Sequence, residues 1–199
     1  MMSHTTHSAY SRRAVLKGLA CSAAVLTTLP LVSAHAAGGK TLVLFFSHSG
    51  NTRKLAAMIH ERVGGDMVEL KTVDAYPQDY DTVVKQAKKE QEAKARPALA
   101  TQLPGLEGYG TVFLGYPNWW GTMPMPLFTL LEKHDFSGKS LIPFCTHGGS
   151  RLGRSVEDIR KCCPGAKVLK GFAAFGNRVD EAGGDVDAWL HGLGISTAK

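Results

Sequence analysis

No stretch of the sequence is apolar for long enough to span a membrane. A transmembrane helix needs about 20 strongly apolar residues, and the most apolar segment, Gly18 to Val32, is interrupted by Thr27, Thr28 and Pro30. Cysteine is scarce, four in 199 residues, and no C-x-x-C pair is available to act as a dithiol. A Gly-rich dinucleotide fingerprint is also missing, so nothing in the chain marks a nicotinamide site. Charge of one sign is in short supply as well. The formal net charge is +6, and part of it sits in the opening residues.

Those residues read as an address. Ser11-Arg12-Arg13-Ala14-Val15-Leu16-Lys17 sets a twin arginine before the mildly apolar stretch, and Ala34-His35-Ala36 follows as a small-x-small cleavage site. The order predicts a twin-arginine signal peptide over residues 1–36, a periplasmic location, and one domain over 37–199 with no stable membrane anchor after cleavage. Resemblance to such signals implies export in the folded state, with a cytoplasmic cofactor already inserted. Cys21 follows Leu19-Ala20, but most of the apolar run lies beyond it, so lipidation is not expected. Removing Arg12, Arg13 and Lys17 from 23 basic residues, against 17 acidic ones, leaves about +3. That balance is too mild for nucleic acid binding. Cys145, Cys162 and Cys163 remain, and adjacent cysteines make a strained bridge, so buried or helix-end thiols are expected.

Strands and helices alternate along the rest of the chain. Continuous apolar runs at Leu42–Phe46, Met67–Leu70, Thr111–Tyr116, Lys139–Cys145 and Ala166–Phe172 predict five strands. Between them, apolar residues recur at helical spacing over Arg53–Val63, after Pro124 and Pro126, over Gly153–Cys162 and over Asp185–Leu193. A charged segment from Asp81 to Ala95 reads as a further helix with a solvated face. Tyr76 and Tyr80 flank its start, placed to close over a ligand or simply to pack beside a turn. Pro143 removes a ladder hydrogen bond and is expected near its strand's beginning or at a bulge. The alternation predicts a parallel sheet with helices on both sides.

Three turns carry the chemistry. Ser47-His48-Ser49-Gly50-Asn51-Thr52 lies where the first strand passes into a helix. Free backbone N–H groups and the helix dipole favour an anion there, Ser and Thr add neutral donors, and Gly50 permits close approach. His48 is expected to point its ring outward. After the third strand, Pro117-Asn118-Trp119-Trp120-Gly121 sets two adjacent indoles in a loop, as suits a flat ligand. After the fourth, Thr146-His147-Gly148-Gly149 again joins a hydroxyl to paired glycines. His147 reads either as a proton donor or as a hydrogen-bonded loop residue.

The first turn resembles the phosphate loop of flavodoxins: Ser or Thr, x, Ser or Thr, Gly, x, Thr. The second and third turns fall where that family clasps its flavin, and the resemblance covers nearly all of 37–199. It implies a doubly wound five-stranded sheet of order 2-1-3-4-5. It implies FMN, with phosphate on residues 47–52, isoalloxazine between 116–123 and 146–150, and Trp119 or Trp120 stacked on the ring. It further implies that the Trp120–Gly121 peptide turns its carbonyl toward flavin N5 on reduction. The near-neutral charge departs from the strongly acidic electron carriers of the family, and an insertion in the last strand is missing, as in short-chain members. The expected function is electron transfer to a redox protein or a small acceptor. An FMN-dependent reductase of quinones or another small acceptor is the alternative, and a non-redox binder of a phosphorylated ligand the third reading.

Overall fold

A computed structural model describes residues 39–196; the expected signal peptide over 1–36 lies outside the described residues. Strand β1 (Lys40–Phe46) leads to helix α1 (Asn51–Val63), β2 (Asp66–Leu70), α2 (Tyr80–Glu92), β3 (Tyr109–Pro117), α3 (Met125–Lys133), β4 (Ser140–His147) and α4 (Ser155–Cys162). Two short strands, β5 (Lys167–Val168) and β6 (Phe172–Phe175), precede α5 (Gly183–Gly192). All strands pair in parallel, in the order β2-β1-β3-β4-β5, with β6 also on β4. The doubly wound order expected from the sequence is observed.

Period-two alternation divides the core into two layers. Leu42, Leu44, Phe46, Val112, Leu114 and Tyr116 face one side, where Val83 of α2, Leu127 and Leu130 of α3 and Ile159 of α4 cover them. Val43, Phe45, Phe113, Ile142 and Phe144 face the other, against Leu55 and Ile59 of α1 and Val186 and Leu190 of α5. Continuous apolar strands are thus buried on both faces, as a parallel sheet requires.

Pro143 is the main departure from expectation, because it sits inside β4, opposite Leu114. The Leu141 carbonyl accepts from the Leu169 N–H at 2.9 Å, so period two puts the missing N–H of Pro143 on the same, outer side. There the fifth position of the sheet is broken between Val168 and Phe172. The proline therefore lacks a donor where no regular ladder runs, and the interruption splits one expected strand into β5 and β6. Strand β4 also runs past Cys145, carrying Thr146 and His147 into register with Ala174 and Phe175. Both are buried polar residues, which hydropathy alone places in a loop. Among the described residues no helix is long and apolar enough to cross a membrane.

Candidate functional site

Because β1, β3 and β4 are parallel neighbours, the turns that follow them open at one edge of the sheet. They meet in a groove of about 660 Å³. His48, Ser49 and Asn51 line it from the first turn, Pro117, Asn118, Trp119, Trp120 and Gly121 from the second, and Thr146, His147 and Gly148 from the third. Ser47, Gly50, Thr52 and Gly149 do not reach its wall.

Gly50 turns the chain into α1 at φ 91°, a backbone that L side chains rarely adopt. Ser47 Oγ accepts from the Arg53 N–H at 3.2 Å, and Thr52 Oγ1 bonds Thr146 Oγ1 at 2.8 Å. Two of the three hydroxyls expected at a ligand are therefore buried braces. Ser49 is exposed. The backbone N–H groups of Ser49, Gly50, Asn51 and Thr52 donate to no protein acceptor among the described residues. Four free donors at a helix N-terminus favour an anion such as phosphate. His48 does not turn away from the groove. Its Nε2–H donates to the Pro77 carbonyl at 2.7 Å and its ring meets Trp119 edge-on at 5.8 Å.

The second turn separates its two indoles. Trp119 and Thr122 exchange backbone hydrogen bonds of 2.9 and 3.2 Å around Trp120 at φ 52° and Gly121 at φ 83°. Positive φ at both central residues marks a type I′ turn. Trp119 is half-buried, edge-on to Phe46 at 5.7 Å and Tyr76 at 5.1 Å. Tyr76 is itself locked, its hydroxyl donating to Glu90 at 2.5 Å, and burial pushes its phenol pKa up. Trp120 is 46% exposed, its Nε1–H donates to the Val84 carbonyl at 3.0 Å, and Lys88 Nζ lies 5.2 Å from the ring centre. Flipping the Trp120–Gly121 peptide would convert the turn to type II′, which favours glycine at the first central position. Trp120 occupies that position and Gly121 the second, so the expected flip would put tryptophan where type II′ favours glycine.

At the third turn, His147 Nδ1 accepts from the Gly149 N–H at 2.9 Å and the ring lies 4.5 Å from that of Phe175. Burial and the nearby Arg151 push the imidazole pKa down. The ring is therefore held neutral with its proton on Nε2, a donor rather than a charged acid. A smaller cavity of about 320 Å³ lies beside it, lined also by Arg151, Phe175 and Arg178. All three described cysteines are free. Cys145 donates to the Arg151 carbonyl at 3.2 Å, and burial pushes its thiol up to about 12.

Two stretches of wall escape sequence reasoning. Phe175 ends β6 and Gly176 and Asn177 follow it, beyond Phe172, where apolar patterning ends the fifth strand. Val83, Val84 and Ala87 join Tyr80 from α2 at spacings of three and four. That stripe is visible in the sequence but overshadowed by the charges on the opposite face. Among the described residues no cluster of three metal-ligating side chains occurs.

The flavodoxin family model matches residues 40–191. No curated protein matches the sequence. Among solved structures, two proteins provisionally assigned as flavoproteins are similar. One, from Bacteroides uniformis, is 32% identical with a TM-score of 0.69, over 77% of this chain and 98% of its own. The other, from Bacteroides eggerthii, is 29% identical with a TM-score of 0.68, over 79% and 99%. A Lactobacillus acidophilus flavoprotein in complex with FMN is 25% identical with a TM-score of 0.59, over 72% and 97%.

Proposed function

The chain belongs to the flavodoxin family, and we propose that it binds FMN in the groove and passes electrons to an external acceptor. The observation that carries this reading is the row of free N–H groups at Ser49 to Thr52, beside a groove that Ser49 and Asn51 line at this end and aromatic side chains line at the other. Those N–H groups and the Ser49 hydroxyl suit a phosphate. Trp119, Trp120 and Phe175 suit the flat ring, and the His147 Nε2–H suits a ring acceptor. When bound, FMN supplies the redox chemistry.

The residues do the rest. The turn after β1 anchors the ligand's anionic end, the half-buried Trp119 excludes water from one wall, and neutral His147 donates a hydrogen bond without adding charge. Protein reconstituted with FMN is expected to show bound-flavin absorbance and to hold FMN more tightly than riboflavin, which lacks the phosphate. Equal affinity for the two would overturn the phosphate assignment of the first turn.

A second reading, reduction of a quinone or another small acceptor by the flavoprotein, is favoured by one feature. Tyr80, Trp120 and Phe175 are exposed large side chains and all line this groove. Photoreduced protein should then reduce a quinone faster than free FMN does. We further propose that residues 1–36 direct export by the twin-arginine route, on the strength of Arg12-Arg13 and Ala34-His35-Ala36. Replacing both arginines with lysine should retain the protein in the cytoplasm, and unchanged export would reject that route.

A further inference from the structure

Loops 117–122 and 148–154 each contain backbone that side chains rarely tolerate. Trp120, Gly121, Arg151 and Gly153 all lie at φ between 51° and 83°. Such conformations persist only where neighbours over-determine them. The two loops touch directly, the Arg154 N–H donating to the Gly121 carbonyl at 2.8 Å. A Cβ at Gly153 would lie 2.2 Å from that same carbonyl oxygen, so the approach is as close as glycine allows.

One side chain reaches across both loops. Asn118 Oδ1 accepts from the Gly121 N–H at 3.0 Å, holding the centre of the type I′ turn. Asn118 Nδ2 donates to the Arg151 carbonyl at 2.6 Å, holding the left-handed residue of the other loop. Its backbone N–H donates to the Thr146 carbonyl at 2.8 Å, tying the pair to the end of β4. Cys145 Sγ donates to the same Arg151 carbonyl from below. The side-chain amide is suited to this place because it offers a donor and an acceptor about two ångströms apart. Aspartate supplies only the acceptor, and alanine neither.

We propose that Asn118 is a positioning residue that joins the two ring-end loops into one clamp, assembled before any flavin arrives. The proposal rests on the reading of the groove as an FMN site, and goes beyond it in assigning the side-chain link between the two loops of the ring-binding wall to one amide. A preassembled wall has no loop ordering to undergo on binding, which favours affinity for the ring. Asn118 is distant in role from the phosphate turn, so its loss affects FMN and riboflavin alike.

The test compares the native protein with Asn118→Ala and Asn118→Asp. Asn118→Ala is expected to weaken both FMN and riboflavin by the same factor, about tenfold for a lost pair of hydrogen bonds. Ser49→Asp, which places a negative charge at the phosphate turn, weakens FMN alone. In the flavin-free protein, Asn118→Ala speeds trypsin cleavage after Arg151 and Arg154 with little change in melting temperature. Asn118→Asp recovers part of the ring affinity, because the Gly121 N–H keeps its acceptor, but leaves the tryptic sites as open as in Asn118→Ala. Unchanged cleavage in both variants, or a loss confined to FMN, overturns the proposal. The proteolysis arm contains no flavin, so a native protein that binds none would defeat the FMN reading while leaving the clamp decided on its own evidence. If Asn118→Ala fails to fold, Asn118→Asp carries the same cleavage test.

Discussion

At the β1 end of the groove the chain turns through one glycine, tucks Ser47 and Thr52 inside and leaves four N–H groups with no protein acceptor among the described residues. At the other end, Trp120 and Arg151 carry left-handed backbone, and the two loops are joined by the Arg154 N–H on the Gly121 carbonyl and by the Asn118 side-chain amide. The first arrangement follows from a strand meeting a helix and is available to any suitable six-residue turn. The second exists only when β3 and β4 have already brought two distant loops side by side. A phosphate site can thus be local, whereas a site for a flat ring is built from long-range contacts.

Substituting a glycine at each end puts that difference to the test. Gly153→Ala adds both left-handed strain and a Cβ 2.2 Å from the Gly121 carbonyl oxygen. It is expected to cost about 3 kcal/mol. Gly50→Ala adds strain alone, since only the flexible Arg53 guanidinium lies near, at 3.7 Å, and should cost about 1–2 kcal/mol. Urea unfolding of the two variants gives both values, and equal losses would mean that the ends are built alike.

Among the described residues the Thr52–Thr146 hydroxyl pair is the one hydrogen bond between the two ends, buried at 2.8 Å. Removing one hydroxyl, in Thr52→Val or Thr146→Val, strands the other and should cost about 2 kcal/mol. The double replacement leaves no orphan and should lie close to the native protein. A double-mutant cycle by urea unfolding measures that coupling. Additive losses would show that the ends are independent, and would break the comparison in the opposite sense from the glycine pair.

Legibility from sequence divides along the same line. The order of elements, both faces of the sheet and the Ser47–Thr52 turn follow from local apolar patterning and a strand-to-helix junction. Partner choice does not. Ser47 and Thr52 resemble ligand contacts in sequence because a hydroxyl in a turn reveals its type but not its direction. The split between a half-buried Trp119 and an exposed Trp120 depends on a type I′ turn that Trp-Gly does not advertise, since Asn-Gly or Gly-Gly is the usual signal. The wall at Phe175 to Asn177 is hidden by Pro143, whose effect falls on the neighbouring strand rather than on its own.

Acid should weaken the ring end selectively. His147 titrates below its ordinary value of about 6.5 because burial and Arg151 disfavour its charged form. The unfolded chain then binds the extra proton first. Stability is full above about pH 6.5 and falls as pH drops below it toward the folded value. Asn in place of His147 keeps an acceptor for the Gly149 N–H and removes the titration. Urea unfolding of His147→Asn between pH 7.5 and about 5 should show a shallower decline than the native protein. An identical decline would assign the acid sensitivity to other groups.

The smallest expected effect is a gain. Arg151 holds φ 51°, and its side chain forms no ion pair within 4 Å among the described residues. What the clamp uses is its carbonyl, shared by Asn118 and Cys145. Arg151→Gly keeps that carbonyl and removes left-handed strain of about 1–2 kcal/mol, set against an unfolded-chain entropy penalty for glycine of about 0.5–1 kcal/mol. The net expectation is a stabilisation of about 0.5 kcal/mol, read as a small rise in melting temperature, with tryptic cleavage after Arg154 unchanged. A fall in stability instead would mean that the arginine side chain itself secures the loop. The ring end would then depend on charge as well as on backbone pairing, and the contrast with the phosphate end would be sharper still.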